Sequence, residues 1–167
     1  MAEPLPGFEP PHEGPLERNW HTYDNYRVVH EHYMDALGNE GIVVSHDLTF
    51  VDSPEHSPEG VIQLLGIVIT ASGAVLDVDK LFLTRLEPGH HLEVLTNRYI
   101  YNARVVESGL TLFRYDNCHG DTDSLHRHRF DTAGGLVAFE SVPLTLMPTL
   151  EGVIREAHRI GLIITSG

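Results

Sequence analysis

Cysteine, lysine and long apolar runs are nearly missing from this chain of 167 residues. Cys118 is the only cysteine, which excludes an internal disulfide and is typical of proteins in a reducing cytosol. The longest apolar run, around residues 61–70, is interrupted by Gln63 and Gly66 and is too short to span a membrane. The N-terminal residues lack the basic start and apolar core of a signal peptide. These absences predict a cytoplasmic protein with no membrane partner.

Positive charge is also scarce, because 24 acidic residues face 11 basic ones and the formal net charge is −13. A negative field of this size opposes non-specific binding of nucleic acid, which depends on neutralising phosphates. The arginines, however, are concentrated in the central part of the sequence. Five of them lie within a short stretch: Arg98, Arg104, Arg114, Arg127 and Arg129. This concentration predicts a local cationic site that could hold a phosphate group on an acidic protein.

Length and composition predict one folded domain after a flexible tail. Residues 1–20 contain five prolines, which forbid a helix and leave little to bury. The remaining residues, 21–167, belong to a chain that is 41% hydrophobic and long enough for a real core. We therefore expect a Pro-rich tail over 1–20 and a single α+β domain over 21–167.

The pattern of apolar residues predicts an antiparallel β-sheet meander with an N-terminal and a C-terminal helix packed on it. The first helix spans 23–38, with an apolar face made of Tyr26, Val29, Tyr33, Ala36 and Leu37. Strands are predicted over 42–50, 61–71, 75–86, 92–106, 110–115 and 136–141, separated by Pro, Gly and Ser turns. Thr149 begins the closing helix, whose apolar face contains Leu150, Val153, Ile154 and Ala157.

The residues suited to chemistry are concentrated between Arg114 and Arg129. In an extended strand, His126 and His128 project from one face, and Arg127 and Arg129 from the other. The two histidines could then act as general base and general acid, since imidazole titrates near neutral pH. Arg114 would stabilise charge developing on a phosphate, and Asp116 would orient a histidine or the arginine.

Two other interpretations of this segment stay open. His126 and His128 could bind a divalent metal together with His119 or Asp116, because a His-x-His pair is a common nitrogen donor set. Alternatively, the segment is a solvated loop in a chain that already has 12 histidines. Of the weaker candidates, Tyr99 and Tyr101 share a strand face and could stack on a base, although a half-buried aromatic pair is more usual.

At these residues the sequence resembles the TumE-type toxin family of prokaryotic type II toxin–antitoxin systems. The resemblance covers residues 60–160 approximately and leaves the helix over 23–38 as an addition. Its most specific element is Phe-Arg-Tyr-Asp-Asn followed by His-x-His, and the supporting elements are Arg98-Tyr99-Ile100-Tyr101, His119 and the closing Pro-Thr-Leu-Glu helix. Arg127 stands between the histidines where the family tends to have lysine.

The resemblance implies an endoribonuclease toxin that cleaves RNA and is neutralised by a small helix-turn-helix antitoxin. We expect the catalytic residues to be Arg114, Asp116, His126 and His128, without a cofactor. The expected substrate-binding residues are Tyr99, Tyr101, Tyr115, Asn117, His119, Arg127 and Arg129. The alternatives are a metal-dependent hydrolase that uses His119, His126 and His128, and a non-catalytic binding subunit of a larger complex.

Overall fold

Glycine turns join the long strands of this chain. Gly73, Gly89 and Gly109 have φ angles of +81°, +105° and +66°, in a region that glycine adopts without steric cost. Each lies in a connection of a few residues, and short connections between strands give antiparallel neighbours. These turns build the meander that the sequence predicts.

The computed structural model describes residues 19–53, 60–117, 125–131, 135–142 and 148–166. Within these ranges it contains nine strands and two helices, which confirms the predicted α+β class. In chain order they are β1 (His21–Thr22), α1 (Tyr23–Asn39), β2 (Val43–His46), β3 (Thr49–Ser53), β4 (Val61–Thr70), β5 (Ala74–Glu87), β6 (His91–Val105), β7 (Thr111–Asp116), β8 (Leu125–Phe130), β9 (Leu136–Val142) and α2 (Leu150–Thr165).

All the strands belong to one antiparallel sheet, in the order β2-β4-β5-β6-β7-β8-β9. Strand β3 also pairs with β4, and the two-residue β1 pairs with β6. The single strand predicted over 42–50 is therefore wrong, because β2 and β3 are separate. Between them, the Asp47 carboxylate accepts a hydrogen bond of 2.6 Å from the Ile67 N–H, which ties the break to β4.

Both helices pack on the same face of the sheet, which we call the helix face. Lys80 of β5 donates a 2.7 Å hydrogen bond to the Tyr26 hydroxyl of α1. The Tyr115 hydroxyl of β7 donates a 2.8 Å hydrogen bond to Glu156 of α2. Because the strand register puts Lys80 and Tyr115 on the same side of the sheet, the two helices share that side.

The closing helix α2 agrees with its prediction. Thr149 is the N-cap, and its side-chain oxygen accepts a 3.1 Å hydrogen bond from the Gly152 N–H. Its inward face is buried against the sheet, as expected from the helical spacing. The buried residues of this face include Leu150, Val153, Ile154 and Ala157.

The predicted apolar face of α1 is partly wrong. Val29 is 41% exposed, whereas His30 and Met34 are each only 5% exposed. The inward positions follow the spacing from Tyr26 through His30 and Met34 to Leu37, so a histidine occupies a place that the sequence pattern assigned to valine. Burial lowers the pKa of His30 to about 4, with Lys80 as the second cause.

Two further predictions concern the N-terminal tail and the absence of a membrane partner. Residues 1–18 of the predicted tail lie outside the described residues, so the tail stays a prediction. Among the residues that the structure describes, no helix is both long enough and apolar enough to cross a lipid bilayer.

Candidate functional site

The pairing of β7 with β8 brings the four predicted catalytic residues to one face. Arg114 lies opposite His128, and Asp116 lies opposite His126, in an antiparallel register. Since side chains alternate along a strand, all four point away from the helix face. The extended geometry predicted for the His-x-His segment is therefore confirmed, and we call this side of the sheet the polar face.

Asp116 is the centre of a cluster of charged and titratable side chains on the polar face. The Arg114 Nε donates to Asp116 Oδ2 at 2.8 Å, and His128 Nε2 lies 3.4 Å from the same oxygen. The Asp116 side chain is 1% exposed, while those of His128 and Arg114 are 17% and 39% exposed. A buried carboxylate is stable as an anion only when it is paired, and these two groups provide the pairing. The arrangement leaves Arg114 with an edge in solvent.

His126 and His128 share a contact with Phe139 of β9. The Phe139 ring centroid lies 4.6 Å from that of His126 and 4.9 Å from that of His128. The Phe139 side chain is also 55% exposed. Phe139 was not among the predicted site residues, because only the pairing of β8 with β9 places it opposite His128. An exposed aromatic ring beside two imidazoles can stack on a base.

Arg98 and Arg104, the two arginines of β6 on the polar face, are paired with aspartates of β5. Arg104 Nε lies 3.0 Å from Asp77 Oδ2, and Arg98 lies 3.3 Å from Asp79. Asp77 also accepts a 3.2 Å hydrogen bond from Asn102. The positive charge that looked concentrated in the sequence is thus balanced by carboxylates from a neighbouring strand. The net positive charge of the predicted cationic site is therefore smaller than the number of arginines in the sequence indicates.

The three tyrosines predicted to bind substrate lie on the opposite side of the sheet. Tyr99, Tyr101 and Tyr115 are at most 1% exposed, and the rings of Tyr99 and Tyr101 stack on each other at 5.1 Å. Burial beneath the helices raises the pKa of Tyr115, and the nearby Glu156 is the second cause. Stacking on a base needs an accessible ring face, so this burial corrects the prediction and assigns all three to the core.

Arg127 is also a residue of the helix face and does not belong to the cluster around Asp116. Its guanidinium pairs with Glu156 of α2 and lies 3.7 Å from Glu140, and the residue is 3% exposed. It therefore cannot reach a substrate on the polar face, and its predicted role in substrate binding is wrong. Burial raises the pKa of Glu156, against the attraction of Arg127. The sequence offered no signal for Glu156 beyond its place on an otherwise apolar helix face.

The remaining predicted substrate-binding residues, Arg129, Asn117 and His119, differ in their positions in the structure. Arg129 is 54% exposed, projects from the helix face and lies 3.7 Å from Glu140. The Asn117 side chain bridges to β6, accepting from the Tyr99 N–H at 2.9 Å and donating to the Asn97 carbonyl at 3.1 Å. Asn117 therefore has a structural role at the end of β7. His119 lies outside the described residues, and its role stays a prediction.

The metal-binding alternative depends on three ligands. Over the described ranges, no three His, Cys, Asp or Glu side chains are grouped closely enough to hold a metal ion. The third ligand of the predicted set, His119, is not among the described residues. Metal binding by these histidines therefore stays a prediction, which the effect of a chelator on activity can test.

Comparisons with protein-family models, with curated proteins and with solved structures gave no match to this chain. The resemblance to TumE-type toxins depends on the motif residues alone.

Proposed function

We propose that this chain is an endoribonuclease toxin of a toxin–antitoxin pair, and that it cleaves RNA on the polar face. The observation that carries the proposal is the buried Asp116 carboxylate, which contacts Arg114 and His128 while His126 lies opposite on β8. A charge stabiliser, two groups able to transfer protons and a group that orients them are the parts that transphosphorylation of RNA needs.

The reaction proceeds by attack of a ribose 2′-hydroxyl on the adjacent phosphate. We assign His126 as the general base, which removes the proton from the 2′-oxygen. His128 is the general acid, because the Asp116 carboxylate lies 3.4 Å from its Nε2 and pairs with the imidazolium form. It protonates the departing 5′-oxygen as the phosphorus–oxygen bond breaks. The products are a 2′,3′-cyclic phosphate and a 5′-hydroxyl, and the two histidines exchange protonation states.

Arg114 and Phe139 complete the site on the substrate side. Arg114 is held by Asp116 and remains 39% exposed, so it can donate to the non-bridging oxygens as negative charge develops. Phe139 offers an exposed ring next to both histidines, where a base flanking the cleaved phosphate can stack. The antitoxin would silence the toxin by covering this face.

A single cleavage assay tests the proposal. Purified chain is incubated with RNA in the presence of a chelator, and the same substrate is prepared with 2′-deoxyribose at the cut site. We expect cleavage to survive chelation, to leave a cyclic phosphate, to fail on the deoxy substrate and to show a bell-shaped dependence on pH. Loss of activity on chelation, restored by a divalent ion, would instead support the metal-dependent hydrolase.

Variants separate the roles of the residues. Arg114→Ala should lower kcat by about 10²–10³-fold, and His128→Gln should abolish acid catalysis. Phe139→Ala should raise KM, because loss of stacking on a base costs about 1–3 kcal/mol. His91→Gln, an exposed histidine at the start of β6, is the matched control and should leave the rate unchanged. No cleavage by the parent chain under any condition would favour the binding-subunit alternative.

A further inference from the structure

A cavity of about 290 Å³ lies on the helix face, between the C-terminal half of α2 and the ends of β7 and β8. It is separated from the catalytic cluster by the sheet itself, because Arg127 and Phe113 of its wall point away from the polar face. Its volume is near the lower end of the range for small-molecule sites.

Much of the cavity wall is apolar and left open to solvent. Ile160, Ile163 and Ile164 contribute from α2, and Leu112 and Phe130 from the strands. Ile163 is 63% exposed and Ile164 is 37% exposed. An apolar ligand body would cover these side chains and remove their surface from water.

The charged groups of the wall are mainly cationic. Arg127, Arg129 and Arg159 line the cavity together with one acidic residue, Asp131. Arg127 is engaged with Glu156, whereas Arg129 is 54% exposed and meets Glu140 only at 3.7 Å. Arg159 is near enough to Glu156 to act on its carboxylate, as Arg127 does. A guanidinium has five N–H donors, so an arginine that already contacts one carboxylate, as Arg129 and Arg159 do, can also donate to a second oxyanion. Glu140 and Glu156, which pair with Arg129 and Arg127, are not among the lining residues, so the charged groups that face the cavity are three guanidinium groups and one carboxylate.

We propose that the cavity binds a small amphipathic carboxylate, with its apolar chain against the α2 isoleucines and its carboxylate at Arg129 and Arg159. Arginine recognises a carboxylate through two parallel N–H···O bonds. The wall thus matches both halves of such a molecule.

The test uses octanoate and its uncharged counterpart, 1-octanol, followed by NMR of the isoleucine methyl groups. Octanoate should give saturable shifts at Ile160, Ile163 and Ile164, and none at Ile62 and Ile100, which lie outside the cavity wall. Octanol should bind at least about tenfold more weakly, because it lacks the charge-assisted hydrogen bonds. Equal affinity for the two molecules, or shifts spread over both groups of isoleucines, would overturn the proposal.

Paired variants locate the binding groups. Arg159→Gln and Arg129→Gln should each weaken octanoate binding by about tenfold without affecting octanol, and Arg27→Gln on the exposed side of α1 is the control. Ile163→Ser should weaken the binding of both molecules, whereas Leu162→Ser, at the neighbouring exposed position outside the cavity wall, should not. Equal effects of the two serine variants would contradict the proposal. A dimer of the unliganded chain that Ile163→Ser dissociates in sedimentation would assign this surface to a second copy instead.

Discussion

The buried pair formed by Arg127 and Glu156 allows a quantitative prediction about what holds β8 against α2. Their side chains are 4% and 2% exposed, and Tyr115 donates to the same carboxylate. Removing one member of a buried ion pair typically costs about 3–5 kcal/mol, because the other charge is left uncompensated. We expect Arg127→Met and Glu156→Leu each to lower the free energy of unfolding by about 3–4 kcal/mol, toward the lower end of this range, because Arg159 still acts on Glu156 and Glu140 still lies 3.7 Å from Arg127.

The double variant should behave differently from the sum of its parts. The raised pKa of Glu156 means that burial disfavours its ionised form more than Arg127 favours it, so the intact pair adds little net stability. In the double variant no buried charge remains from this pair, and the principal cost is the Tyr115 hydroxyl without its acceptor, about 1–3 kcal/mol. The coupling energy of the cycle should then be at least about 3 kcal/mol.

Urea denaturation followed by circular dichroism measures the cycle. With an m value of about 2 kcal/mol/M, a loss of about 4 kcal/mol moves the midpoint by about 2 M. The exposed pair of Arg27 and Glu31, whose side chains are 48% and 63% exposed, provides a control cycle with a coupling of about 0.5 kcal/mol or less. Additive single variants at Arg127 and Glu156 would refute the reasoning.

Two further predictions concern stability at acid pH and toxicity. Because the folded pKa of His30 is about 4 against 6.5 in the unfolded chain, the unfolded state binds more protons between these values. Stability should therefore decrease by about 3 kcal/mol as the pH falls from 6.5 to about 4. Across this pH range, the urea midpoint should decrease less for His30→Gln than for the parent. His32→Gln, at an exposed position of the same helix, is the control and should behave as the parent. If the midpoint of His30→Gln depends on pH as strongly as that of the parent, the assignment to His30 is contradicted. Expression without the antitoxin should arrest growth of a host cell, and Arg114→Ala should relieve the arrest in a plating assay while retaining the parent's Tm; equal toxicity would exclude Arg114 from the mechanism.

The elements of the fold could be predicted because local signals agree with tertiary packing in most of the chain. Glycine turns delimit β5 and β6, and the apolar spacing of α2 matches its buried face. The signal failed at α1, where His30 occupies a core position next to Tyr33, with its Nδ1 2.6 Å from the tyrosine hydroxyl. A periodicity of apolar residues cannot identify a polar side chain that is buried through a tertiary contact.

The candidate site could be predicted only in part, because its residue content depends on strand register. Alternation within one strand was enough to separate His126 and His128 from Arg127. It could not show that Asp77 and Asp79 of β5 would balance the arginines of β6, or that Phe139 of β9 would lie against the histidines. These contacts join residues that are distant in sequence, and no local pattern encodes them.

Alternation in β8 also explains why a buried charge is found between the two histidines. A slip of β8 by one residue would exchange the two faces, moving Arg127 away from Glu156 and turning His126 or His128 into the core. Such a slip would leave Glu156 buried without its cationic partner and the Asp116 carboxylate without His128. Both losses are costly in a low-dielectric interior. The Arg127–Glu156 pair thus adds little net stability to the native register, but the slipped register is much less stable because it breaks this pair. The native register, which places the histidines on the polar face, is therefore favoured.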